Sequence, residues 1–234
     1  MRKSVFKFKE FELVQEKSAM KIGTDGVLLG AWAHAENPGN ILDIGTGTGL
    51  IALMLAQRFP HAKLTGIEID QNAFEEARFN VSTSKFRNRI NVLHTSLQDF
   101  HSNEKYDLIV SNPPFFELTH KEISARNKAR QQSDLTFEEL INYAEKLLSE
   151  NGNFAVIIPF ESESYFMDLS SKFHLFPYKI TRVKGNENVP FKRSLMLFSR
   201  NQSIVQTGEL TIEISRNVYT EEYISLTKAF YLKM

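Results

Sequence analysis

The sequence predicts an α/β fold built on a doubly wound, mostly parallel sheet, and three observations carry that expectation. Residues 40–115 alternate apolar strand patterns with helical patterns at the short spacing of β-α-β units. A glycine-rich turn, "DIGTGTGL" at 43–50, closes the first strand pattern and opens a helix. Further alternation follows to residue 160, which implies right-handed crossovers with helices on both faces.

Each element has its own signal. Val5, Phe6, Phe8, Phe11 and Leu13 stand unevenly among charged residues and suggest a small hairpin over 5–14, while "TDGVLLGAWAHA" at 24–35 predicts a helix capped by Thr24 or Asp25. "NILDIG" (40–45) is a buried strand, and "GLIALMLAQRF" (49–59) has the 3.6-residue apolar spacing of a helix on a sheet. The strand "AKLTGIEID" and the helix 71–81 form the second unit, and strands follow at 90–95 and 106–110. Thr136 and Glu139 make a capping box for a helix over 136–150, and Pro159 ends a fifth strand over 152–159. Beyond it the pattern gives a helix at 161–172, strands near 175–184, 194–200 and 209–215, and a helix at 220–232. No repeat or linker divides the chain. The expectation is one domain, 1–234, with an N-terminal extension (1–36), a core that binds a cofactor (37–160) and a C-terminal part of the sheet (161–234).

Composition narrows the chemistry. With 234 residues, 42% of them hydrophobic, the chain can bury a substantial core. It has no cysteine, which removes thiolate catalysis and Cys-ligated zinc, and its six histidines show no paired ligand spacing, so no metal site is expected. No apolar run reaches eighteen residues and no secretory signal stands at the N-terminus, so a cytoplasmic location is the expectation. Lys plus Arg balance Asp plus Glu at 28 each, yet the basic residues cluster: Lys121, Arg126, Lys128 and Arg130 follow the fourth strand, Lys179, Arg182, Lys184, Lys192 and Arg193 lie farther on, and Arg2, Lys3, Lys7 and Lys9 open the chain. Three clusters around one site would form an electrostatic footprint for nucleic acid.

The glycine turn indicates the ligand. Gly45, Gly47 and Gly49, with Thr46 between, let the backbone turn sharply and approach a ligand without Cβ clashes. A dinucleotide fingerprint needs glycine where Leu50 stands, and Asp43 would repel a pyrophosphate, so a cationic group fits better. Glu68 ends the second strand, where an acid accepts hydrogen bonds from ribose hydroxyls. Together these describe a nucleoside with a cationic, carboxylate-bearing arm, which is S-adenosylmethionine. Asp99 is expected to meet the adenine amino group, with Ile69 and Leu97 against the ring.

"SNPPFF" (111–116) follows the fourth strand and faces the same crevice. Pro113 and Pro114 stop sheet pairing, and the Asn112 amide oxygen with the Pro113 carbonyl could hold both hydrogens of a planar amine. Phe115 could stack on the base that carries it.

"DIGTGTGL", "GIEID" and "NPPF", in this order, resemble the class I S-adenosylmethionine-dependent methyltransferases that act on planar nitrogens. "KIGTDGVLLGAW" (21–32), "ARNKARQQSDLTFEELINYAEKLLSENG", "KRSLMLFS" (192–199) and "YTEEYISLTKAFYL" extend the resemblance, over essentially the full length, to the bacterial tRNA1(Val) adenine-N6 methyltransferase family. The resemblance implies a Rossmann-like class I fold with an antiparallel C-terminal strand, and methyl transfer to the adenosine just 3′ of the anticodon. It further implies that Lys21, Thr24 and Asp25 close over the cofactor, that Asp43, Gly45, Gly47, Glu68 and Asp99 hold it, and that Asn112, Pro113, Pro114 and Phe115 handle the base. Lys121, Arg126, Lys128, Arg130, Lys192 and Arg193 would then grip a tRNA anticodon stem-loop, bound by a monomer. The sequence departs from the family at Gln131, where histidine is expected after "AR". On the residues alone, guanine N2 of ribosomal RNA, a glutamine amide of a protein, and a non-catalytic cofactor- or RNA-binding module remain alternatives.

Overall fold

The structure, a computed structural model, describes residues 5–16, 22–114 and 135–233. Lys21, Phe115, Lys121, Arg126, Lys128, Arg130 and Gln131 lie outside the described residues.

An eight-stranded sheet organises the chain. Its strands are β3 (Asn40–Ile44), β4 (Lys63–Glu68), β5 (Ile90–His94), β6 (Tyr106–Ser111), β7 (Leu148–Pro159), β8 (Phe176–Lys184), β9 (Arg193–Ser199) and β10 (Gln206–Thr211), in the spatial order β10-β8-β9-β7-β6-β3-β4-β5. β3 to β7 pair in parallel, and β9 runs antiparallel between β7 and β8. The strand order reverses between β3 and β6, and in an open α/β sheet that reversal opens a crevice at the carboxyl ends of the strands. The central strands are apolar on both faces because helices cover both. Leu42, Ile44 and Ile109 face one core, Ile41, Leu108 and Val110 the other.

On the first face α1 (Thr24–Trp32) packs on α2 (Leu50–Arg58), and α3 (Gln71–Thr83) lies beside them. On the other, α4 (Phe137–Leu147) packs on α5 (Glu163–Lys172). The Thr136 and Glu139 capping box is present at the start of α4. Among the described residues no helix is long and apolar enough to cross a membrane.

The N-terminal extension is an antiparallel hairpin, β1 (Val5–Lys7) with β2 (Glu12–Val14), pinned at both sides. Phe8 bridges to Tyr231 and stacks on Phe11, while the Lys9 amide donates to the Phe230 carbonyl (2.8 Å). On its other side the buried Asn80 of α3 accepts the Val14 amide (2.8 Å) and donates to the Val14 carbonyl (3.0 Å).

Several boundaries differ from the sequence pattern for local reasons. α1 starts after Gly23 with no side-chain cap, because the Asp25 carboxylate is taken by Arg193 (2.7 Å). The helix pattern over 136–150 stops at Leu147, and β7 begins at Leu148, which pairs with Tyr106 ahead of a register shift. The strand expected at 209–215 is two pieces, because β10 leaves β8 at Thr211 and β11 (Glu213–Ser215) pairs with β12 (Val218–Tyr219). β10 buries Leu210 alone, too little apolar alternation to mark its start. The last helix, α6 (Glu221–Thr227), is shorter than 220–232, because the backbone beyond it turns to meet the N-terminal hairpin.

Gly152 sits at the register shift between β6 and β7. A Cβ there would come within 2.8 Å of the Tyr106 carbonyl oxygen, a backbone atom with no room to yield. Gly152→Ala is expected to cost about 1–3 kcal/mol by overpacking, read as a lower urea midpoint with an unchanged slope.

Candidate active site

Four strands end at one level. The register pairs Ile44 with Ile67 and Ser111, and Glu68 with His94, so the turns after β3, β4, β5 and β6 leave the sheet side by side. The Ser111 hydroxyl donates to the Ile44 carbonyl (3.0 Å) and ties two of those ends together.

The β3–α2 turn has a shape that only glycine adopts without strain. Gly45, Gly47 and Gly49 have φ of 69°, 57° and 84°, the left-handed region that side chains avoid. Four of its amides find acceptors within the protein: those of Gly45 and Thr46 both donate to the Ile67 carbonyl (3.0 Å each), and that of Gly49 donates to the Thr46 carbonyl (2.9 Å). The Gly47 amide donates to Glu68 Oε2 (2.8 Å), and the Asp70 amide to Glu68 Oε1 (2.9 Å). One carboxylate thus anchors the turns after both β3 and β4. A Cβ on Gly45 or Gly47 would meet no protein atom within 4 Å, so that side of the turn is open to a ligand.

The opening is a cavity of about 230 Å³. Gly45, Gly47, Glu68, Ile69, Leu97, Asn112, Pro113 and Pro114 line it, as the sequence indicated. So do Asp70, Ser96, Gln98 and Leu135, which sequence reasoning passed over. Asp70 caps α3 by accepting the Ala73 amide (2.8 Å), and its place directly before a helix pattern could have marked it. The lining combines apolar groups suited to a ring with two carboxylates, Glu68 and Asp70, and two carboxamides, Gln98 and Asn112. Asn112 Oδ1 is buried and has no hydrogen-bond partner among the described residues. Such an atom costs stability unless a ligand supplies the missing donor.

Six expected cofactor contacts lie outside the lining. Asp99 is exposed and does not line the cavity; it accepts the Ser96 hydroxyl (2.7 Å), so Ser96 stands where the acid was expected. Asp43 lies behind the turn, 1% exposed, and takes the Thr46 hydroxyl (2.6 Å) and the Ala52 amide (3.1 Å) on one oxygen. Thr46 is therefore spent inside the turn, and Gly49 serves as the N-cap of α2. Thr24 and Asp25 are also absent from the lining, Asp25 because it pairs with Arg193 at the start of β9. That pair occupies one of the arginines assigned to RNA; Lys192 beside it is exposed. Among the described residues no group of three or more His, Asp or Glu could hold a metal ion.

The chain was compared with known proteins. Residues 17–176 match the family model "Methyltransferase small domain". Over 98% of this chain and the whole of the relative, it is 52% identical to the tRNA1(Val) (adenine(37)-N6)-methyltransferase of Flavobacterium johnsoniae. With the protein of the same name from Bacteroides fragilis it shares 45% identity, all of both chains being covered. The chain belongs to the tRNA1(Val) (adenine(37)-N6)-methyltransferase family. Its fold is that of solved methyltransferases. A predicted O-methyltransferase of Agrobacterium tumefaciens superposes with a TM-score of 0.68 at 19% identity, over 88% of this chain and 96% of that one. A methyltransferase of Pyrococcus furiosus gives 0.54 at 21%, over 75% and 81%.

Burial pushes the Asp43 carboxyl up from its ordinary 3.8 to about 7; the Thr46 and Ala52 hydrogen bonds oppose the shift, and Glu68 adds to it. The unfolded chain releases this proton near pH 4 and the folded chain near 7, so the group's contribution to stability falls as pH rises through that window and is level above it. Asp43→Asn removes the fall. Relative to wild type the variant should gain stability steadily from about pH 4 to 7, by at most ~4 kcal/mol, in urea titrations at a series of pH values. A difference between the two that stays flat with pH would contradict the assignment.

Proposed function

We propose that this chain transfers a methyl group from S-adenosylmethionine to N6 of adenosine 37 in tRNA1(Val). The observation that carries the reading is the buried, unpartnered Asn112 amide oxygen at the end of β6, in the same cavity as Glu68 and the open glycine turn.

The residues present fit the cofactor. Each Glu68 oxygen accepts one backbone amide and retains acceptor capacity for a ribose hydroxyl. Ile69, Leu97, Ala73 and Leu135 offer apolar surface for the adenine ring, and the open faces of Gly45 and Gly47 admit close approach. When bound, S-adenosylmethionine supplies an electrophilic methyl group on a sulfonium.

The chain's own contribution is positioning. Asn112 Oδ1 and the Pro113 carbonyl each accept one hydrogen of the target amine, which fixes its plane and leaves the nitrogen lone pair directed out of it. A carboxamide is not a base near neutral pH, so Asn112 orients the amine without deprotonating it. Phe115 stacks on the base. An adenosine in an anticodon loop is unpaired or nearly so, which keeps its extrusion cheap. Lys121, Arg126, Lys128, Arg130 and Lys192 hold the anticodon stem-loop, while Arg193 is committed to Asp25. The work is cytoplasmic, where tRNA is, and a monomer suffices.

Incubation with methyl-labelled S-adenosylmethionine and unmodified total tRNA, followed by nucleoside analysis, tests the reading. N6-methyladenosine is expected; label in N2-methylguanosine or in protein would replace the assignment. Asn112→Ala should lower turnover at least ~100-fold while cofactor affinity stays within about twofold by calorimetry, the pattern of a lost positioning contact. Lys128→Gln with Arg130→Gln should weaken tRNA binding and reduce the slope of log affinity against log salt by up to about 2, with cofactor binding unchanged. An unaltered salt slope would remove these two residues from the RNA contact.

A further inference from the structure

Beside the Asn112 loop the same edge of the sheet carries an aromatic pair that the reaction does not use. Phe160 follows β7 directly, and its amide donates to the Lys192 carbonyl (3.1 Å). The Lys192 amide donates to the Val183 carbonyl (2.8 Å), so the ends of β7 and β8 and the start of β9 are knitted into one surface. Phe160 and Phe191 meet there with ring centroids 5.5 Å apart at 51°, both half-exposed. Arg182 lies over Phe160 (5.8 Å) and Lys184 over Phe191 (5.6 Å). β7 is the immediate neighbour of β6 and pairs Val156 with Ser111, so Phe160 lies one strand spacing across and four residues, on the order of 13 Å, beyond the strand end that carries Asn112.

Half-exposed rings at the ligand edge of a sheet need an account. They are not the cofactor's, because neither ring lines that cavity. Nor is the surface simply a phosphate grip. The Arg182 Nη2 donates to the buried Glu163 (2.7 Å), Lys184 pairs with Glu187 (2.6 Å) and Arg193 with Asp25 (2.7 Å), so three of the four cations around the rings are compensated and Lys192 is the exposed one. Those pairs do something else: they hold two cations against the phenyl rings and fix the rings in place. A fixed, half-exposed aromatic pair backed by guanidinium and ammonium groups is the surface on which a nucleobase stacks.

We infer that Phe160 and Phe191 form a stacking platform for an unpaired nucleotide adjacent to the target adenosine. The inference rests on the tRNA reading above and deepens it. The platform binds a base by its face, so it tolerates different bases and contributes affinity that does not depend on salt. The basic segment 121–130 contributes the salt-dependent part.

The test measures binding of an anticodon stem-loop RNA by fluorescence anisotropy over a salt series, for wild type, Phe191→Leu, Phe160→Leu and Phe191→Trp. Leucine keeps the apolar bulk and removes the ring face. Each leucine variant should bind about tenfold more weakly, the size of one base–aromatic stack, with an unchanged salt slope and unchanged cofactor affinity, while Phe191→Trp stays within about threefold of wild type. A purely structural role predicts the reverse order, leucine tolerated and tryptophan not. Leucine variants within twofold of wild type, or a loss that comes with a changed salt slope, would overturn the platform. Wild-type protein that binds the stem-loop but methylates nothing would instead overturn the catalytic reading, and the leucine-to-wild-type ratio would still decide the platform.

Discussion

Glu68 holds the active edge of this sheet together. Its two oxygens take the amides of Gly47 and Asp70, and the carbonyl of the preceding Ile67 takes those of Gly45 and Thr46. The backbone lies in the left-handed region at three positions within five residues, and three of the amides that fix it, those of Gly45, Thr46 and Gly47, are held by the end of the adjacent strand. The consequence is geometric. Because β3 and β4 pair in register up to Ile44 and Ile67, the acid at the next position falls beside the open turn. The same side chain is therefore both the scaffold of the turn and a polar wall of the cavity.

Behind the turn the supports continue inward. Asp43 and Thr46 lock its back, and Asn80 donates to the Thr48 carbonyl (2.9 Å) while it also grips Val14 of the N-terminal hairpin. A buried amide with both N–H groups donated and its oxygen accepting in this way couples the hairpin to the glycine turn. The hairpin is in turn stitched to the C-terminus through Phe8, Tyr231 and the Lys9–Phe230 hydrogen bond. The extension is thus part of the architecture that shapes the cofactor turn, which a reading of residues 5–14 as an isolated hairpin did not suggest.

The sheet, its helices and most of the cavity were legible because they rest on period and on backbone chemistry. Alternation of strand and helix patterns needs no partner to be recognised, and glycines before a helix or prolines after a strand act through their own backbone limits. What the pattern did not carry was the direction in which individual acidic side chains point. Asp25 reads as a cap, but Arg193, 168 residues away, takes it. Asp43 reads as a cation's partner, but the fold turns it inward onto Ala52. Asp99 reads as an adenine contact, yet the tight turn at 95–99 puts Ser96 at the cavity and leaves the acid to hold the serine. In each case the residue type was informative and its direction was not.

Direction also bears on selectivity. Adenine N6, guanine N2 and a glutamine amide all present a planar nitrogen with two hydrogens, and the Asn112–Pro113 acceptors satisfy any of them equally well. The reacting groups therefore cannot choose among these substrates; the choice must come from what holds the rest of the molecule. A chain with 28 cationic and 28 anionic side chains has no net field to gather RNA, so recognition has to be local. Two local devices of different physics are at hand: a basic segment, 121–130, that follows the Asn112 loop in sequence, and the Phe160–Phe191 pair beyond the end of β7. Charge attracts the polyanion at a distance and weakens with salt, whereas stacking acts only once an unpaired base is in contact. A protein side chain bearing an amide satisfies neither, and a paired base satisfies only the first. An unpaired nucleotide satisfies both, and under the proposed reading this conjunction directs an otherwise indiscriminate amine site to one class of substrate.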